Sequence, residues 1–134
     1  MRSSVLAGML LLSSCGSSLG HHEALWAASG PTSYHYTYET GGFGAGLEME
    51  VTVRSRAVSS TVVASPPGST GQGFSVEQLF EDVRRRLDGP CKTTVEYDEI
   101  LGYPRHAYSD CGMEGDGWTV QNFAADSAPD GGLP

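Results

Sequence analysis

The period of the hydrophobic pattern changes once along this chain, within residues 75–89. Apolar residues there recur at the three- and four-residue spacing of a helix: Val76, Leu79, Phe80, Val83 and Leu87. Ser75 followed by Gln78 fits a capping box, and Gly89 followed by Pro90 is a stop signal. The pattern therefore predicts one main helix over residues 75–89.

On both sides of this helix, apolar and polar residues alternate with a period of two, which is typical of strands with one buried face. The pattern predicts six strands, at residues 33–39, 47–54, 56–63, 91–97, 105–111 and 118–123. A helix with a single apolar stripe must bury it against another element. We therefore expect an α+β fold, in which an antiparallel sheet carries the main helix 75–89 on one face and a short N-terminal helix precedes it.

The first residues have a different composition from the rest. Arg2 precedes an apolar run at residues 5–12, which is too short to span a bilayer, and Ser13 and Ser14 precede Cys15. This pattern resembles the lipobox of bacterial lipoproteins, in which the signal is cut before a cysteine whose thiol carries lipid. The resemblance implies lipidation at Cys15. The alternative is an ordinary secretory signal in which Cys15 is incidental.

The predicted organisation is a signal peptide over residues 1–14, a flexible lipid-anchored tether over 15–21, a single domain over 22–124 and a disordered tail over 125–134. The lipid on Cys15 would hold the chain at a membrane of the bacterial cell envelope, outside the cytoplasm. Outside the cytoplasm thiols oxidise readily, so the chain is also expected to contain a disulfide.

This disulfide is expected at the open end of the predicted hairpin 91–111. If Tyr97 faces Arg105, the antiparallel pairing sets Cys91 opposite Cys111. Facing residues of such a pair have Cβ atoms about 4.5–5.5 Å apart, which is near the separation that a disulfide requires. We expect a Cys91–Cys111 bridge. The alternative is two buried free thiols.

The closed end of the same hairpin is a candidate contact surface. Its loop, residues 98–104, carries the large apolar residues Ile100 and Tyr103. Large apolar residues on a loop between strands indicate a surface that contacts a partner. The alternative is that both side chains fold back onto the sheet.

Charge excludes one class of partner. The chain has 16 acidic and 8 basic side chains, for a net charge of −8. Nucleic-acid binding requires clustered Lys and Arg, so we expect no nucleic-acid partner. The one basic cluster, Arg84–Arg86 in sequence, is interpreted as the solvated end of the main helix.

The sequence carries no catalytic, metal or cofactor signature. His35 and His106 lie on separate predicted strands, and no histidine pair has the spacing of a metal site. Three acidic residues, Asp110, Glu114 and Asp116, are interpreted as turn residues rather than calcium ligands. The leading hypothesis is a non-catalytic module that binds a protein or peptide. The alternatives are an envelope hydrolase or metal-dependent enzyme that uses His35 or His106 with the acidic turn, and a small protein inhibitor.

The aromatic residues carry a resemblance to a known family. The resembling segments are Trp26, Tyr34-x-Tyr36-x-Tyr38, Val95-Glu96-Tyr97-Asp98, Gly102-Tyr103-Pro104, Asp110 and Trp118-x-Val120-x-x-Phe123. Together they resemble a bacterial domain-of-unknown-function family of small secreted proteins and lipoproteins. The resemblance implies a fold and a location but no activity. The rings are expected to form the core, and the alternative is that some line a binding face.

Overall fold

The computed structural model describes residues 18–42, 46–64 and 71–126, and Cys15 lies outside these ranges. Within them, two helices and six strands follow one another: α1 (Ser18–Ser29), β1 (Ser33–Gly42), β2 (Glu48–Arg54), β3 (Ala57–Ala64), α2 (Val76–Asp88), β4 (Lys92–Tyr97), β5 (Pro104–Asp110) and β6 (Gly115–Ala125).

The six strands form one antiparallel sheet in the order β3-β2-β1-β6-β5-β4. Each half of the chain contributes three sequential strands, and the pairing of β1 with β6 joins the halves at the centre of the sheet. Because apolar and polar residues alternate along these strands, one face of the sheet is apolar and the other is polar. Across β1 and β2, three facing pairs are buried: Tyr34–Val53, Tyr36–Val51 and Tyr38–Met49.

The predicted α+β class, with one main helix packed on one face of the sheet, is wrong. The structure is a small sheet-dominated fold, in which strands hold about twice as many described residues as helices. Its two helices, α1 and α2, are nearly equal in length, at 12 and 13 residues. The strong capping and period of α2 made it look dominant, whereas the pairing of six strands decides the architecture.

Helix α1 also shifts a predicted boundary. It begins at Ser18, so residues 18–21, which were assigned to the tether, are helical. Leu19 is buried in the core with Trp26 from the same helix. The Gly-Ser composition of this stretch indicated a linker, but the burial of Leu19 depends on tertiary contacts that composition does not contain. At the other end, Ala125 belongs to β6 and not to the predicted tail.

Candidate functional site

The structure joins Cys91 and Cys111 in a disulfide with a Cα–Cα distance of 4.6 Å. The register that predicted it holds from Lys92, which faces Asp110, to Glu96, which faces His106. It then shifts at Tyr97, which pairs with Pro104 instead of Arg105. The bridge closes the open end of the β4–β5 hairpin beside the C-terminal end of α2, where Gly89 caps the helix.

The structure separates the two residues of the predicted contact surface. Ile100 is 79% exposed, whereas Tyr103 is only 9% exposed. The Tyr103 ring stacks on Phe123 with centroids 4.2 Å apart and also contacts Trp26 edge-on. Tyr103 is therefore a core residue, which corrects the prediction for it. The loop folds back because Asp98 accepts hydrogen bonds from the backbone N–H groups of residues 100 and 101.

The two strand histidines lie in separate hydrogen-bonded pairs. His35 Nδ1 lies 2.7 Å from Asp126 Oδ1, and His106 Nδ1 lies 3.0 Å from Thr119 Oγ1. Of the acidic turn, Asp110 accepts a hydrogen bond from the Gly112 backbone. Across residues 18–42, 46–64 and 71–126, no group of three or more His, Cys, Asp or Glu side chains is arranged to hold a metal ion.

A concave site does occur elsewhere, at one side of α2. It is a cavity of about 220 Å³, lined by Tyr38, Phe74, Gln78, Leu79, Glu81, Asp82, Arg85, Arg86 and Trp118. Its walls join three parts of the chain: strand β1, helix α2 with the segment before it, and strand β6. Tyr38 contacts Phe74 and Trp118, with ring centroids 5.5 and 6.1 Å away.

The start of α2 holds one wall of the cavity in position. Ser75 and Gln78 form the predicted capping box, in which each side chain accepts a hydrogen bond from the other's backbone N–H. Tyr34 reinforces this end, because its hydroxyl oxygen accepts a hydrogen bond of 2.8 Å from the Val76 backbone N–H. Tyr36 donates a hydrogen bond to the Phe74 carbonyl oxygen. The sheet therefore fixes the first turn of the helix directly.

Asp82 lies at the centre of the polar wall. Its Oδ2 accepts hydrogen bonds from Trp118 Nε1 at 2.7 Å and from Arg86 Nε at 2.6 Å. Its Oδ1 accepts a further hydrogen bond from Arg85. Burial raises the pKa of Asp82, but the hydrogen bonds from Trp118, Arg86 and Arg85 outweigh it, and the net pKa lies below the ordinary range. The carboxylate is therefore ionised at neutral pH.

Arg86 extends this network to the sheet. Its guanidinium group donates to Ser109 Oγ at 3.0 Å and to both carboxylate oxygens of Asp116, at 3.2 and 3.1 Å. Its side chain is 14% exposed, so the predicted solvated cluster Arg84–Arg86 is wrong for this member. Burial lowers the pKa of Arg86, but hydrogen bonds to Asp116 and Asp82 outweigh it and the net pKa is raised.

The sequence analysis did not identify Asp82, Arg86 and Trp118 as members of one site. One signal was present, because Asp82 precedes Arg85 and Arg86 at the helical spacings of three and four residues that favour ion pairs. The contact with Trp118 spans 36 positions. Nothing in the local pattern indicates a contact of that range.

Aromatic burial also shapes the cavity. Burial raises the pKa of Tyr38 to about 12, and the negative charges of Asp82 and Asp116 add to the shift while Arg86 opposes it. Tyr38 is therefore neutral at physiological pH. It presents a ring and an uncharged hydroxyl group to the site.

No described helix is long and apolar enough to cross a membrane. Comparison with curated proteins and with solved structures gives no match. Comparison with protein families does give one, over residues 18–124, which span both helices and all of the described strands except the last residue of β6. The chain belongs to this family, a family of unknown function (DUF6174).

Proposed function

We propose that this protein is a non-catalytic binding module of the bacterial cell envelope, held at a membrane by lipid on Cys15. Its binding site is the cavity between Tyr38, Phe74 and Trp118. The observation that carries the proposal is the combination, in one concave site, of aromatic walls with the Asp82–Arg86 pair, whose charged groups already have partners. Such a site can accept an apolar group without rearranging its own hydrogen bonds.

The state of Asp82 favours binding over catalysis. A general base needs a pKa near the working pH and a lone pair free to take a proton. Asp82 accepts hydrogen bonds from three side chains, and its pKa is shifted away from neutrality. Its role is to hold Trp118 and the arginines in fixed positions.

The size of the cavity indicates the kind of ligand. About 220 Å³ is less than the roughly 300–1,000 Å³ of typical small-molecule pockets. The volume suits one apolar side chain of a peptide or protein, and Tyr and Trp are the rings most enriched where proteins meet. The partner is therefore a peptide or protein segment that inserts such a side chain.

The two tryptophans of the chain allow a direct test. Trp118 lines the cavity and its indole N–H donates to Asp82, which also lines it, whereas Trp26 is not a lining residue and its indole N–H donates to Glu77 at 3.0 Å. We expect N-acetyl-leucinamide and N-acetyl-phenylalaninamide to shift the Trp118 indole NMR signal and leave that of Trp26 in place. N-acetyl-serinamide is the polar control. Equal shifts at both indoles, or none at Trp118, would contradict the proposal.

A matched pair of variants locates the binding. Glu81 lines the cavity and Asp88 does not, and both are exposed residues of α2. Glu81→Phe should occupy the cavity and raise the dissociation constant of the phenylalanine probe about tenfold, which corresponds to about 1.4 kcal/mol. Asp88→Phe makes the same change of charge and size and should leave the constant unchanged. The same effect from both variants would place the binding elsewhere.

The anchor needs a separate test. Arg2, the apolar run 5–12 and the small residues before Cys15 support lipidation. Cys15→Ala should abolish incorporation of labelled fatty acid and move the protein out of the membrane fraction. A wild-type protein that incorporates no fatty acid would refute the anchor without affecting the cavity.

A further inference from the structure

Strand β3 forms one edge of the sheet, and β2 is the only strand that pairs with it among the described residues. Its sequence, AVSSTVVA, is uncharged, lacks proline and is rich in β-branched residues. Every second residue of an edge strand directs its backbone N–H and C=O away from the sheet, where they can pair with another strand. Val58 and Val63 are also exposed, at 36% and 55%.

The opposite edge is built differently. Strand β4 has six residues, carries Lys92 and Glu96, and follows directly on Pro90 and the disulfide. Charged residues, proline and short length are the features by which proteins prevent unwanted strand pairing. Within residues 18–42, 46–64 and 71–126, the sheet therefore protects one edge and leaves the other unpaired, which favours a pairing partner for β3.

The charges beside β3 identify that partner. Strand β2 ends at Arg54 and the turn to β3 carries Arg56, while the other end of β2 carries Glu48 and Glu50. In the described part of the chain, none of these four side chains forms an ion pair. The edge is therefore basic at one end and acidic at the other.

We propose that two copies of this chain associate through antiparallel pairing of their β3 strands, with Ser60 facing Ser60 of the second copy. In this register Ser59 faces Thr61 and Val58 faces Val62. Val58, Ser60 and Val62 lie on the face that also carries Val53, Val51 and Met49, since these residues face each other across β2 and β3. The two sheets then form one continuous sheet with valine pairs at the junction.

The register also satisfies the charges. Arg56 of one copy comes opposite Ala64 of the second copy, and Ala64 is the residue that pairs with Glu48 on β2. The two-fold symmetry repeats this contact at the other end of the junction. A parallel arrangement would bring arginine beside arginine and glutamate beside glutamate. The edge is thus complementary to itself in the antiparallel orientation, and this distinguishes a second copy from an unrelated strand.

Cross-linking in cells producing the full chain tests the register. Facing residues have Cβ atoms about 4.5–5.5 Å apart, close enough for a disulfide after small adjustments. A Ser59→Cys chain and a Thr61→Cys chain, carrying tags of different length, should give a cross-linked heterodimer when produced together. Each chain alone should give no more cross-linked dimer than the wild type, whose own three cysteines set the background. A heterodimer no more abundant than this background would overturn the proposal, and so would dimers of Thr61→Cys alone, because they require a different register.

A charge at the edge gives the complementary test. When both copies carry Thr61→Lys, two lysines lie on the same face of the junction, each opposite Ser59 of the other copy, and charged side chains on an edge strand disfavour pairing. Sedimentation of the detergent-solubilised chain without added cysteines should therefore show that Thr61→Lys converts dimer to monomer. Thr94→Lys places the same residue at an exposed position of the other edge and should preserve the dimer. Loss of the dimer in both variants, or in neither, would refute pairing through β3.

Discussion

At the scale of single residues, Asp82 does the most to join helix and sheet. It accepts hydrogen bonds from Trp118 of β6 and from Arg86, which in turn reaches Ser109 of β5. Hydrogen bonds to charged groups contribute more than neutral ones, and a buried donor left without a partner is costly. The side chain of Asp82 is 19% exposed, so solvent compensates little for its loss.

We expect Asp82→Asn to lower the free energy of unfolding by about 2–3 kcal/mol at neutral pH, because the charge that Arg86 and Trp118 contact is removed. Urea denaturation measures the change. Asp88→Asn removes a charge from an exposed position of the same helix and should cost under about 0.5 kcal/mol. Equal effects would show that the network does not stabilise the fold.

The acid dependence follows from the same residue. The pKa of Asp82 is lower in the folded chain than the value of about 3.9 expected when unfolded. Its contribution is therefore fully present above that unfolded value and is lost as the pH falls through the folded value. Wild type should lose more stability between neutral and acid pH than Asp82→Asn does. Parallel pH profiles would contradict this.

At the scale of the elements, the sequence predicted the features that depend on contacts between residues close together in the chain. The capping box of α2 lies within four residues, and the register assumed for the hairpin set Cys91 and Cys111 opposite each other in adjacent strands. The shift at Tyr97 was not predictable, because it depends on Pro104 entering the pairing. The burial of Tyr103 was also missed, since it requires Phe123 from the far end of β6.

The first turn of α2 provides an element-scale prediction. Tyr34→Phe removes the acceptor of the buried Val76 N–H and should destabilise the fold by about 1–2 kcal/mol. Tyr38→Phe is the control, because no hydrogen bond to the Tyr38 hydroxyl is present among the described residues. Thermal unfolding of the two variants compares them. A control as destabilised as Tyr34→Phe would show that the loss of a hydroxyl, and not the helix contact, matters.

The β4–β5 hairpin provides a second prediction at this scale. Replacing both Cys91 and Cys111 with alanine opens a loop whose ends are 20 positions apart, and the chain-entropy relation gives about 3 kcal/mol for its closure. The wild type should unfold at lower denaturant concentration when reductant is present, whereas the double variant should not respond to reductant. Mass spectrometry should show the wild-type pair two hydrogens lighter than the reduced form. A wild type indifferent to reductant would contradict the expected role of the bridge.

At the scale of the whole molecule, the contacts that matter connect distant parts of the sequence. Such contacts form the pairing of β1 with β6, and they also form the cavity between Tyr38, Asp82 and Trp118. Periodicity predicted the strands one by one but gave no strand order, so the balance between helix and sheet was misjudged. Local composition is equally insufficient for α1: its first turn has the composition of a linker, but Leu19 is buried in the core.

The early start of α1 has a consequence for the proposed anchor. Two residues separate Cys15 from Ser18, so the three steps from one Cα to the next span at most about 11 Å before the helix begins. This end of α1 lies beside the β4–β5 loop, because Gly102 packs against the His22 backbone and His22 stacks on Tyr97. The exposed Ile100 is on that loop. If lipid on Cys15 holds the chain at a membrane, as proposed, this short connection would keep this end of the domain close to the membrane surface.

Fluorescence quenching in vesicles tests that arrangement. A fluorophore on His21→Cys lies three helical residues beyond Ser18, within about 15 Å of Cys15, since each helical residue adds about 1.5 Å. Met113 is 92% exposed and lies beyond the far end of β5, whose seven residues extend about 20 Å. For the lipidated protein, headgroup-attached quenchers should therefore quench the label at position 21 strongly and a label on Met113→Cys weakly. Ten glycine and serine residues inserted after Gly16 should reduce the difference, because an added flexible segment lets the domain move away from the surface. Equal quenching at both positions without the insertion would show that the short connection does not orient the domain.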